Sequence, residues 1–187
     1  AGDYSFSVGQ FGGGVSSERE VSLKSAEQVA QHLPKEKYEV LMIPVNTKKE
    51  YVSQALTRAE DIDVAFIAMH GTYAEDGRLQ GVLDLLDIPY TGPSLFSNAV
   101  AMNKAAVQEI MRLHGVESAR YFLVYASDDV SALHGRIEKE FRYPCVVKPN
   151  ESGSSVGVSI VKSQEELDGA LAAAFAESRA IMVAEYL

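Results

Sequence analysis

The sequence predicts an α/β protein, a doubly wound parallel-sheet domain followed by a smaller α+β unit. Strand and helix patterns alternate from the start of the chain to residue 92. The run at 64–69, VAFIAM, is continuously apolar, as in a strand buried on both faces of a parallel sheet. After about residue 98 the order changes to helix, strand, helix, hairpin, helix and strand. Two domains, 1–98 and 99–187, are therefore expected.

Residues 4–11 alternate weakly at Tyr4, Phe6 and Val8, as a half-buried first strand does. Gly12-Gly13-Gly14 follow, and Ser17 with Glu20 three residues on forms a capping box for a helix reaching about Leu33. A strand, a glycine turn and a helix N-terminus in succession predict an anion-friendly corner. Residues 38–45 read as a second strand and 49–60 as a short helix. The apolar run at 64–69 then delivers His70 and Gly71 to the carboxyl end of its strand, the edge at which open α/β sheets bind ligands. Residues 79–86 read as a helix, and 88–92 as a short strand entering a turn.

Residues 98–114 read as one helix with Lys104 in its second turn, ended by Gly115. A strand at 120–125, a helix at 128–140, a hairpin, a helix at 165–176 capped by Ser163 and Glu166, and a strand at 181–187 complete the pattern. The last strand has no helix following to cover it, so a longer polypeptide is expected.

The hairpin carries the strongest chemical signal. Cys145-Val146-Val147 bring Lys148 to the end of a strand closed by Pro149, and the tip that follows, NESGSSVG at 150–157, holds two glycines and three serines. Small residues let backbone N–H groups approach an anion, serines add donors, and the lysine adds a full charge. These are parts for holding a nucleotide's phosphates beneath a mobile lid, although an ordinary Gly/Ser hairpin has the same composition. Neither a P-loop nor a dinucleotide fingerprint is present.

Composition narrows the classes further. A net charge of −9 argues against a nucleic-acid or anionic-membrane surface, so a polyphosphate ligand needs locally concentrated lysines. The one cysteine, Cys145, excludes an internal disulfide, suits a reducing cytoplasm, and in an apolar strand reads as a buried structural thiol. No apolar run approaches the ~18 residues that span a bilayer.

Four separated blocks in this order resemble the D-alanine–D-alanine ligase family of the ATP-grasp superfamily. They are GGVSSEREVS at 13–22, HGTYAEDGRLQGVLDLLDIPYTG at 70–92, SNAVAMNK at 97–104 and VVKPNESGSSVGVS at 146–159. The resemblance covers nearly the whole chain. Residues 4–10 depart from it in being more polar than the family's apolar first strand.

The resemblance implies a Rossmann-like, pre-ATP-grasp first domain and an ATP-grasp subdomain, with a further carboxyl-terminal domain absent from these 187 residues. It implies ATP-dependent joining of two D-alanines for peptidoglycan precursor synthesis in the cytoplasm. Lys104 and Lys148 would bind ATP phosphates, with Ser154, Ser155 and Gly157 in the loop that covers them. Glu185, with the backbone of Tyr186 and Leu187, would meet the adenine. Glu18 would engage the first D-alanine's ammonium, Val21 its methyl group, and His70 substrate carboxylate or intermediate charge. Ser154 would hydrogen-bond Glu18, joining the two domains around the substrate. The Mg2+ or Mn2+ ligands, an arginine at the transferred phosphoryl group and a substrate-closing loop would lie beyond Leu187, so these residues alone would be inactive. A homodimer through the first domain is implied. A D-alanine–D-lactate ligase, another ATP-grasp carboxylate–amine ligase and a non-catalytic nucleotide-binding module are the competing readings.

Overall fold

Strand β1 (Phe6–Gly13) is the middle strand of a parallel sheet, between β2 (Tyr38–Val45) and β3 (Val64–Ile67). This sheet belongs to the first of two units, one ending at Ala99 and the other spanning Val100–Leu187, in a computed structural model that describes residues 5–187. Tyr4, expected in the first strand, lies outside the described residues. The chain crosses from β1 to β2 on one side and then to β3 on the other. Right-handed crossovers therefore put the intervening helices on opposite faces, the doubly wound arrangement.

Helix α1 (Arg19–His32) packs closely where Gly12 lacks a side chain, since a Cβ there would lie 2.8 Å from Ala26 Cβ. Helices α2 (Glu50–Arg58) and α3 (Arg78–Leu85) close the other face over Phe11, Ile43, Tyr51, Leu79 and Leu83. Aliphatic and phenyl side chains buried this way contribute about 1.5–3 kcal/mol each. Pro44 is tolerated because β2 is an edge strand and its ladder needs no second donor. Gln10, one source of the polarity in the first strand, is fully buried with both amide atoms unpartnered.

Three expectations for this part of the chain are corrected. The capping box of Ser17 and Glu20 does not form; Glu18 holds the N-cap position without a side-chain cap hydrogen bond. Ser16 is the inward serine instead, accepting from the Glu18 N–H at 3.3 Å and donating to the His70 carbonyl at 2.8 Å. The 64–69 run is not buried on both faces, since Val64, Phe66 and Ile67 are half-buried. Beyond β1, among the described residues, β3 meets only an isolated bridge from Ala65 to Tyr90, and the short strand expected at 88–92 reduces to that bridge.

The single helix expected at 98–114 is interrupted, giving α4 (Leu95–Met102) and α5 (Lys104–Leu113). Asn103 is extended between them, and its side chain accepts the Ala106 N–H at 3.0 Å. An asparagine N-cap is worth about 1 kcal/mol, and apolar periodicity does not reveal it. Lys104 is therefore the first residue of a helix rather than a second-turn residue.

In the second unit β4 (Tyr121–Tyr125), β5 (Cys145–Pro149), β6 (Ser159–Val161) and β7 (Ala180–Glu185) form an antiparallel sheet in the order β4-β7-β5-β6. The expected hairpin is β5 paired with β6. Helices α6 (Val130–Glu140) and α7 (Leu167–Phe175) cover one face over Phe122, Ile137, Cys145, Val147 and Leu171. Helix α5 covers part of the other, with Ala105 against Met182 and Ala184. The second capping box is also rearranged. Glu166 accepts from the Lys162 N–H at 2.8 Å and the Ser163 hydroxyl bonds Glu165, so a 3-10 turn, Gln164–Glu166, precedes α7. Burial pushes the Cys145 thiol up to about 11, which makes it inert at neutral pH.

Candidate functional site

The glycine corner after β1 is closed by the protein itself. Gly13 N–H donates to Ser22 Oγ at 2.9 Å, Gly14 N–H to the Val45 carbonyl at 2.8 Å and Val15 N–H to the Tyr51 hydroxyl at 3.4 Å. These three donors of the expected anion-friendly corner are therefore already used. Arg19 is also occupied: its Nη1 bonds the Gly14 and Val45 carbonyls at 2.9 and 2.8 Å and its Nη2 bonds Asn46 at 2.6 Å.

Carboxylates give the corner its character instead. Gly71 has φ of +72°, and a Cβ on it would lie 2.7 Å from Glu18 Oε2, so glycine admits both the turn and the close carboxylate. Glu75 accepts the Gly71 N–H at 2.6 Å through Oε2, while its Oε1 lies 3.9 Å from His70 Nδ1. Ser25 Oγ is 3.3 Å from His70 Nε2. Glu18, His70 and Glu75 thus converge around one turn at the carboxyl end of β3. Val21, one helical turn on from Glu18, is 56% exposed and offers an apolar contact beside the carboxylate. This set suits a small zwitterion's ammonium and alkyl group better than a phosphate.

The second unit gathers cations. Lys104 Nζ donates to the Ser152 carbonyl at 2.6 Å. Burial lowers its pKa first, and the neighbouring Lys148 charge lowers it further, so the two lysines share one locality. Lys148 stands opposite Met182 in the β5–β7 register, on the sheet face that α5 partly covers. Beyond β5 the loop holds Ser154, Ser155 and Gly157 at φ of +48°, +58° and +73°. The two serines each cost roughly 1–3 kcal/mol in that region, a cost tolerated mainly where a loop has a task.

Glu185, expected with the following backbone to meet an adenine, has its carboxylate on Arg120. Its carboxylate accepts from the Arg120 N–H and Nε at 2.8 Å each and pairs with Nη2 at 2.7 Å, and these contacts hold it below the usual carboxylate range. Glu185 stands opposite Cys145 in the register, so its side chain leaves the sheet on the face away from Lys148. The exposed Tyr186 and Leu187 that follow leave backbone donors and acceptors available at the strand end.

Sequence reasoning missed Asn150. It is 2% exposed, its Oδ1 accepts the Ala105 N–H at 2.9 Å, and its carbonyl accepts the Lys104 N–H at 3.1 Å. The first amides of α5 are thus satisfied by Asn150 and Asn103, leaving ammonium groups and loop amides to meet an anion. Among the described residues no group of three or more His, Cys, Asp or Glu could hold a metal ion. Nor is any helix there long and apolar enough to cross a membrane.

Comparison with known proteins agrees with this division. A family model for the D-Ala-D-Ala ligase N-terminus matches residues 7–61 and 52–93, and one for the D-Ala-D-Ala ligase C-terminus matches 110–187. The chain is 44% identical over 180 residues to the D-alanine–D-alanine ligase of Geobacter sulfurreducens, covering 96% of this chain and 54% of that protein. The crystal structure of the Bacillus anthracis D-alanine–D-alanine ligase superposes with a TM-score of 0.86 at 36% identity, over 98% of this chain and 58% of that one. A second structure of that enzyme is a complex with ATP, with a TM-score of 0.82 at 33% identity over 98% of this chain and 60% of that one. The VanG D-Ala:D-Ser ligase of Enterococcus faecalis gives 0.80 at 26% identity, over 98% of this chain and 62% of that one. The chain spans somewhat over half the length of these relatives. Two family models in sequence order, on an α/β unit and an antiparallel α+β unit, place the chain in the D-alanine–D-alanine ligase family.

Proposed function

We propose that the protein carrying this chain joins two D-alanines, using ATP, to make D-alanyl-D-alanine for peptidoglycan precursor synthesis in the cytoplasm. A carboxylate oxygen of the first D-alanine attacks the γ-phosphorus and ADP leaves. The amine of the second then attacks the acyl phosphate carbon, phosphate leaves and a proton is released. A free carboxylate has too poor a leaving group for amide formation, and the work of the protein is positioning and charge stabilisation. The reading is supported above all by Lys104 and Lys148 sharing one locality beside the strained Ser/Gly loop.

In this reading Lys104 and Lys148 hold the triphosphate, Ser154, Ser155 and Gly157 cover it, and the backbone from Glu185 to Leu187 meets the adenine. Glu18 takes the first D-alanine's ammonium, Val21 its methyl group, and His70 the developing carboxyl charge. Mg2+ or Mn2+ would neutralise phosphate charge, with its ligands outside these residues, so residues 1–187 alone are not expected to turn over. Exposed Val52 and Leu56 on α2 support a homodimer through the first domain. The likeness to a D-Ala:D-Ser ligase leaves the second substrate to be measured against D-serine and D-lactate.

Lys148→Ala is expected to weaken ATP binding far more than D-alanine binding in the complete protein, as calorimetry would read. Loss of one charge-assisted phosphate contact corresponds to about 1.5–3 kcal/mol, roughly 10- to 150-fold in affinity. Unchanged nucleotide affinity would remove Lys148 from the site.

A further inference from the structure

We infer that Ser25 is a positioning residue for the amino-acid site, fixing the ring orientation and tautomer of His70. The inference rests on the reading of Glu18, Val21 and His70 as that site, and it adds a residue that this reading does not use.

The backbone around His70 is held on both sides. Its carbonyl accepts from Ser16 Oγ at 2.8 Å, and the next amide, Gly71 N–H, donates to Glu75 Oε2 at 2.6 Å. The imidazole still has two orientations about its last torsion, which exchange the positions of carbon and nitrogen. Glu75 Oε1 lies 3.9 Å from Nδ1, and Ser25 Oγ lies 3.3 Å from Nε2. The 3.9 Å separation from Glu75 is beyond hydrogen-bond distance, but the carboxylate's negative charge favours the proton on the nitrogen facing it, Nδ1. Nε2 of the neutral ring is then the acceptor, and the Ser25 hydroxyl donates to it. The tautomer of a histidine is set by what its nitrogens meet, here the Ser25 hydroxyl at Nε2 and the Glu75 charge near Nδ1.

Helix geometry explains why residue 25 has this role. Ser22 and Ser25 are three apart on α1, and Ser22 turns inward, with its Oγ bonded to Gly13 N–H and the Ala68 carbonyl at 2.9 Å each. Ser25 lies along the same side, one turn nearer the helix C-terminus. Glu18, Val21 and Ser25 follow one another at spacings of three and four, so they form a row on the helix surface. Glu18 and Ser25 both reach the 70–71 turn from this row. The helix that supplies the proposed substrate contacts thereby orients the histidine on the neighbouring loop.

The test compares Ser25→Ala and Ser25→Thr with the unaltered complete protein. Long-range 15N–1H spectra at alkaline pH, where imidazoles are neutral, report the tautomer of His70. The unaltered protein is expected to show the Nδ1–H form, Ser25→Ala a mixture with the Nε2–H form, and Ser25→Thr the original signature. In D-alanine-dependent phosphate release, Ser25→Ala should raise the D-alanine KM about 3- to 10-fold, the loss of one neutral hydrogen bond. The ATP KM should stay constant and Ser25→Thr should restore the D-alanine KM. An unchanged tautomer, or an unchanged D-alanine KM in an active Ser25→Ala protein, overturns the inference. If the unaltered protein releases no phosphate with D-alanine, the underlying reading fails instead, and the inference falls with it whatever the spectra show.

Discussion

Lys104 stands half-buried at the start of α5, with its ammonium 2.6 Å from the Ser152 carbonyl and a second lysine nearby. Burial and the Lys148 charge both disfavour its protonated form, so its folded pKa lies below the unfolded value. Between the two values the unfolded chain binds the extra proton, and stability therefore rises with pH across that window. A bound triphosphate favours the charged ammonium and reverses the preference. ATP affinity is thus expected to fall as pH rises through the lowered pKa, before the ordinary lysine range near ~10.4, with proton uptake on binding in that window. Calorimetry in two buffers of different ionisation heat reads the uptake, and phosphate groups with pKa near ~6 are already ionised there. Affinity that stays flat up to the ordinary lysine range would place Lys104 outside the nucleotide site. The lysine itself was legible in the sequence, but its burial was not, because that depends on the helix break at Asn103.

At the scale of elements, the β5–β6 hairpin divides into an anchored base and a strained tip. Asn150 is buried and bonded to α5, and Asn103 Nδ2 donates to Glu151 at 2.9 Å, so the first residues after β5 are tied down. Residues 153–157 follow with strained serines and weak internal turns, Gly153 to Val156 and Ser155 to Val158, at 3.3 Å each. Hydrogen exchange is expected to show the 153–157 amides gaining protection with a non-hydrolysable ATP analogue, while the Asn150 amide is protected in both states. Equal protection of 153–157 with and without nucleotide would make the segment a static turn. The glycine and serine content made this loop readable from sequence. The anchor was not readable, because the partner of Asn150 lies 45 residues away and leaves no local pattern. The two capping boxes misled because Ser16 rather than Ser17 turns inward, to the Glu18 N–H and the His70 carbonyl, and Glu166 takes the Lys162 N–H instead of that of Ser163.

At the scale of the molecule, alternating strands and helices up to residue 92 were enough to read a doubly wound sheet, and the later change of order read the antiparallel unit. What the pattern could not supply was edge environment. A continuous apolar run does not say whether a full strand or a single bridge lies beside it, and β3 has the bridge. In the candidate site, the hairpin singled out Lys148 and the strand end His70, and the family resemblance added Lys104 and Glu18, whereas Asn150, Ser25 and the Arg120–Glu185 pair needed coordinates. In the proposed function D-alanine and ATP are the ligands of the protein carrying these two units. Phosphate release from ATP by the complete protein, with and without D-alanine and with products read by mass spectrometry, tests it most directly. D-alanine-dependent release matched one to one by D-alanyl-D-alanine is the expected result. ATP binding with no D-alanine-dependent release and no dipeptide would contradict it and leave a nucleotide-binding module.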